Sequence, residues 1–229
     1  MSSENLDQLA WDYLMGSPRD QAESGHILAY TGAAAIFPLL RAGLRALQEF
    51  NPLRTPGVAN PDHQVAESTW VYQIAEPTLE SMYAVVNQIG QPASDALCRA
   101  LWEPGELFKL MACLILFNVP HPNRRTVRGI RDWWAVNVGV DLQTLDQLTI
   151  PTLFRALDAQ TADESDQRYF RDGGAVMMLS TLLARGGDPR FQELQRDFYR
   201  ESDVSLAEGD ERTRNTALLY LVRHEPFHV

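Results

Sequence analysis

The sequence predicts an all-α protein, and three observations carry that prediction. Leucine and alanine total 53 (29 plus 24), against 21 (7 plus 14) for isoleucine and valine, a bias toward strong helix formers and away from β-branched strand formers. Prolines mark helix starts at Ser17-Pro18, Glu76-Pro77, Glu103-Pro104, Ile150-Pro151 and Asp188-Pro189, because proline's missing N–H has no intrahelical partner to lose in the first turn. Between these starts, apolar residues recur at spacings of three and four, which lays one stripe of a helix against a core. With 229 residues, 45% of them hydrophobic, the chain is long enough to bury such a core without disulfide or metal staples.

The first helix, expected over 4–15, carries Leu6, Leu9, Ala10, Tyr13 and Leu14 on one stripe and stops at Gly16, a residue suited to a helix C-cap. Ser17, Pro18 and Asp20 make a capped start for a long helix over 18–50, in which Pro38 is the expected kink or break. Helices follow over 63–75, 77–89, 93–102 and 104–118, the last containing the apolar run 110–117. The spacing then predicts helices over 124–138, 151–160, 166–185, 189–201 and 211–223, about ten in all. Gly186-Gly187 reads as a C-cap before the start at Asp188-Pro189.

The connection over 119–123, with Pro120 and Pro122, is the expected boundary between an N-terminal helical lobe, 1–118, and a C-terminal helical lobe, 119–229, unless both share one core. The first carries 13 acidic and 6 basic residues, the second 17 and 14. The net charge of −10 argues against coating by nucleic acid, because the body as a whole repels phosphate at long range. Cys98 and Cys113 lie in apolar helical patterns and read as small buried hydrophobes. A start without a basic segment and an apolar segment gives no secretory signal, and the run 110–117 is far shorter than the roughly 20 residues of a membrane span. The expected location is the cytoplasm, with no membrane partner.

The most distinctive segment runs from His121 to Trp134. Arg124, Arg125, Arg128 and Arg131 fall within eight residues, and on a helix Arg124, Arg128 and Arg131 share a face while Val127, Ile130 and Trp134 form the face behind them. Guanidinium forks suit phosphate or carboxylate oxygens, and an exposed Trp133 or Trp134 would suit stacking on a base, so the segment fits RNA or single-stranded DNA. It equally fits an acidic surface on a protein partner or on a second copy of the chain. In the plainest alternative these arginines pair with the chain's own carboxylates and the tryptophans lie in the core.

Catalytic patterns are sparse. Glu23 and His26 make an E-x-x-H pair on one helix face, and with His63 and Glu67, four apart, they compose a candidate di-metal site of the kind built inside helical bundles. Arg19 with His26 has the loose spacing of a phosphate-steadying arginine and a proton-moving histidine. No nucleophile elbow, phosphate-binding loop or dinucleotide fingerprint is present. The leading expectation is a non-enzymatic helical interaction or assembly protein, without a cofactor, that self-associates or binds a protein partner through 124–134. A nucleoprotein or coat-like protein using the same arginines comes next, and a helical di-metal enzyme third.

Overall fold

A computed structural model describes residues 3–49, 71–119, 122–138 and 175–202. Among these residues every regular element is helical, as the composition predicts, and none is a strand. They fall into two compact units that divide between Ile115 and Leu116. The expected helices over 151–160 and 211–223, and the first parts of those over 63–75 and 166–185, lie outside the described residues.

In the first unit α1 (Ser3–Met15) packs against α2 (Pro18–Thr31) and α3 (Ile36–Glu49). The corner between α1 and α2 is set by short-range chemistry. The Gly16 N–H donates back to the Asp12 carbonyl at 2.9 Å, and Ser17 and Asp20 cap each other reciprocally, the Asp20 N–H donating to Ser17 Oγ and the Ser17 N–H to Asp20 Oδ2. The long helix expected over 18–50 breaks at Gly32 and not at Pro38. Gly32 has φ +72°, a conformation that favours glycine, and a 3-10 turn over Gly32–Ala35 links α2 to α3. Pro38 is the third residue of α3, where its missing N–H costs no intrahelical bond.

Pro18–Glu49 is, by length and composition, apolar enough to cross a membrane, and 44% of its most apolar 18-residue window is buried inside the protein. This stretch is longer than the apolar run 110–117. With the break at Gly32, α2 and α3 have 14 residues each, about 21 Å of helix against a hydrocarbon core of about 30 Å.

A five-residue π-helical turn, Val71–Ala75, leads into α4 (Glu76–Ile89), which is followed by α5 (Gln91–Ala100) and α6 (Glu106–Phe117). Leu28, Ile36, Leu39, Leu40, Leu47, Leu79, Met82 and Leu97 are buried to 2% exposure or less, each contributing about 1.5–3 kcal/mol of burial. Close approach is written into two glycines. A Cβ on Gly25 would stand 2.8 Å from the Tyr13 ring, and one on Gly43 would overlap the Met82 sulfur. Tyr13 and Tyr83 donate their hydroxyls to the carbonyls of Ser81 and Leu114 at 2.7 and 3.1 Å, tying α1 to α4 and α4 to α6. Over 110–117 every residue of α6 is buried, as a helix apolar on all sides requires.

The second unit contains the end of α6 with α7 (Arg124–Asn137), α8 (Ala175–Arg185) and α9 (Pro189–Ser202); α8 packs against both α7 and α9.

Candidate functional site

The arginine segment is α7. Its first turn is closed by Asn123, whose Oδ1 accepts the N–H groups of Arg125 and Thr126 at 2.9 and 3.0 Å. The amides at this helix start are thus occupied by the chain's own cap. The inward stripe is Thr126, Val127, Ile130, Trp133 and Trp134, all buried. Trp134 meets Phe191 of α9 edge to face, the ring centroids 5.1 Å apart at 89°, a geometry that aromatic quadrupoles favour. Val127 lies against Gly186, so close that a Cβ there would overlap Val127 Cγ2.

Opposite this seat lies the outward face. Arg124, Arg125 and Arg128 are exposed; one turn further on comes Asp132, and two turns on come Ala135 and Val136, the last 66% exposed. Arg128 and Asp132 stand 3.9 Å apart with both side chains mostly in solvent, a pair worth a few tenths of a kcal/mol at most. The face runs for about 18 Å from position 124 to 136. It has a cationic start, one carboxylate in the middle and an apolar end.

The segment's residues divide by role. Trp133 and Trp134, expected as contact residues, are 1% and 0% exposed, so neither ring is offered to a ligand in this conformation; they fix the helix in place. Arg131 belongs to both sides. Its side chain is 44% exposed, yet its Nη2 donates to Asp188 Oδ2 at 2.7 Å. Arg190 donates from Nε and Nη2 to the same carboxylate at 3.2 and 3.1 Å, and its backbone N–H donates to Oδ1 at 3.1 Å. Burial alone pushes the Asp188 carboxyl up, but the hydrogen bonds and charge of Arg190, together with the charge of Arg131, outweigh it and hold the group below its ordinary value. Asp188 thereby caps α9 and clamps α7 to it. Arg185, at the end of α8, donates to the Phe117 carbonyl at 2.6 Å and lies over the Phe117 ring at 4.8 Å, which closes the C-terminus of α6 with a cation.

The sequence marks Gly186 as a C-cap and Asp188 as a helix start, but gives no sign of the Gly186–Val127 contact, the Asp188–Arg131 pair or the exposure of Val136. An aspartate before Pro189 signalled only a cap, and a partner 57 residues away leaves no local trace. Arg168 and Arg171, which the sequence offers as additions to the arginine patch if they fold beside it, lie outside the described residues.

The metal pattern comes out differently. Glu23 and His26 are both exposed on α2, and Glu23 Oε1 accepts from Arg19 Nε at 2.9 Å. An inward-facing di-metal site needs the opposite orientation, and Arg19 is held by Glu23, not aimed beside His26. His63 and Glu67 lie outside the described residues, among which no group of three or more His, Cys, Asp or Glu side chains is placed to hold a metal.

What the second unit defines is a class of surface: a helix rigidly seated by tryptophans, with a mixed cationic and apolar outer face. Comparison of the chain with protein-family models, with curated proteins and with solved structures gives no match, so this surface stands on its own chemistry.

Proposed function

We propose that this is a non-enzymatic helical interaction or assembly protein, working in the cytoplasm, that self-associates or binds a protein partner through the outward face of α7. The reading takes the whole chain as a multi-helix bundle of about ten helices. One observation carries it: α7 turns both tryptophans inward and leaves Arg124, Arg125 and Arg128 outward in line with Asp132 and Val136. A charged rim beside an apolar contact is the makeup of a protein–protein patch. Phosphate backbones call for an unbroken cationic surface and single strands for stacking rings; here a carboxylate interrupts the cations and the rings are buried. The nucleic-acid reading therefore ranks second.

The test is photocrosslinking from position 136. A photoreactive residue in place of Val136, in cells that express the protein, is expected to give protein adducts. Adducts removed by nuclease would favour the nucleic-acid reading instead, and a chain without adducts would overturn both.

A further inference from the structure

We propose that the surface met by α7 belongs to a second copy of this chain, and that it is the corner between α5 and α6, where Trp102 and Glu103 stand out. The inference rests on the reading of α7 as a contact face.

An arginine face ending in valine is complemented by an exposed ring beside an unengaged carboxylate. Among the described residues the exposed large apolar side chains are Ile27, Tyr30, Trp102 and Val136. Val136 is on α7 itself. Ile27 lies one turn from Glu23, but that carboxylate already holds Arg19, and Tyr30 lies two turns from it. Trp102, half exposed, is followed directly by the exposed Glu103, which has no ion-pair partner among the described residues.

The corner is a firm mount. Leu101 is fully buried beneath it, the Trp102 and Glu103 N–H groups donate to the Arg99 and Ala100 carbonyls at 3.0 and 3.3 Å, and Gly105 turns the chain with φ +105° into α6. The same three residue types already combine within the protein. Arg45 lies 4.1 Å over the Trp11 ring while its Nε pairs with Glu49 at 2.7 Å. Arg124 or Arg128 of one copy, laid on Trp102 and Glu103 of the next, repeats that arrangement between copies. Arg99, exposed one turn back on α5, is a like charge to the incoming arginine and weakens the attraction on that side of the corner. Because α7 and the corner are different surfaces, the same contact is compatible with a reciprocal closed dimer and with a head-to-tail ring or filament.

Sedimentation velocity of the full chain at low salt, over a range of concentrations, tests this. The wild type is expected to associate, and W102A and E103R each to weaken association on the order of tenfold. R124E/R128E is expected to weaken it too, and an equimolar mixture of E103R with R124E/R128E to recover a heteromer, since reversed corner then meets reversed helix. Circular dichroism verifies that each variant is folded. A wild type that stays monomeric, corner variants that associate normally, or a mixture of folded variants that fails to recover would each overturn the proposal. If R124E/R128E dissociates and the corner variants do not, the corner is wrong while the contact-face reading stands. Position-136 adducts to another protein, with a monomeric wild type, would separate the two in the same way.

Discussion

Replacing Asp188 by asparagine removes the charge that clamps α7 while leaving an acceptor for the α9 cap. The carboxylate is 1% exposed and lies 2.7 Å from Arg131 Nη2 and 3.1 Å from Arg190 Nη2. Breaking a buried pair costs about 3–5 kcal/mol, because the remaining charge loses its partner without regaining water. Arg131 is 44% exposed and rehydrates, which discounts that figure; about 2–3 kcal/mol is expected for Asp188→Asn. Asp188→Ala loses the cap as well, worth about 1 kcal/mol, for about 3–4 kcal/mol in all. Urea denaturation followed by tryptophan emission reads the loss directly, with a midpoint shift on the order of 1 M for the asparagine variant. Hydrogen exchange should localise it to α7 and the first turn of α9. An Asp188→Asn protein within about 0.5 kcal/mol of wild type would refute the claim that this carboxylate holds the helix.

The same carboxylate gives a pH dependence: its folded pKa lies below the ordinary value, so its stabilisation is present above about pH 4 and is lost as pH falls through the folded pKa. Acid titration of stability should be flatter in Asp188→Asn than in the wild type below about pH 4, and parallel curves would contradict the assignment. Gly186→Ala places a methyl on Val127 Cγ2 and should cost about 1–3 kcal/mol in thermal unfolding; adding Val127→Ala should recover part of it, and strict additivity of the two would deny the contact. Trp134 Nε1 is buried with no partner among the described residues. Trp134→Phe keeps the edge contact with Phe191 and removes an orphan donor, so it should cost no more than about 1 kcal/mol, against about 3–5 kcal/mol for Trp134→Ala. A Trp134→Phe loss about 1–3 kcal/mol above that expectation would mean that the indole N–H is satisfied.

Features governed by neighbours in the chain were readable before any coordinates. The Ser17-Pro18-Asp20 start, the stop at Gly16, the helix from Arg124 and the start at Pro189 all follow from caps and spacing within four residues. The break in the long N-terminal helix was misplaced because Pro38 is a strong breaker only in a helix interior, and it sits in a first turn. Gly32 terminates α2 through its backbone conformation, and a single glycine among alanines gives little warning of that. In the arginine segment, periodicity sorted Arg124 and Arg128 from Val127 and Ile130 correctly. It left open whether Trp133 and Trp134 stack outward or pack inward; that is decided by Phe191 and the close approach at Gly186, more than fifty residues away. Arg131 was grouped with the outward cations, although one buried carboxylate on α9 gives it a second role. Glu23 and His26 have a spacing suited to metal and lie on a solvent face, with Arg19 already paired to Glu23.

Whether the outer face of α7 is a contact surface is read by the crosslinking yield from position 136 with and without R124E/R128E. Both arginines are exposed and neither belongs to the Asp188 clamp, so the double reversal should change folding stability by no more than about 0.5 kcal/mol. Protein adducts should form at position 136 in the wild type and not from a control photoreactive residue at Ala84, exposed on α4. Their yield should fall about tenfold or more in the folded double variant. Adducts that form equally well with the arginines reversed, or equally from Ala84, would show that the outer face of α7 is not a contact surface.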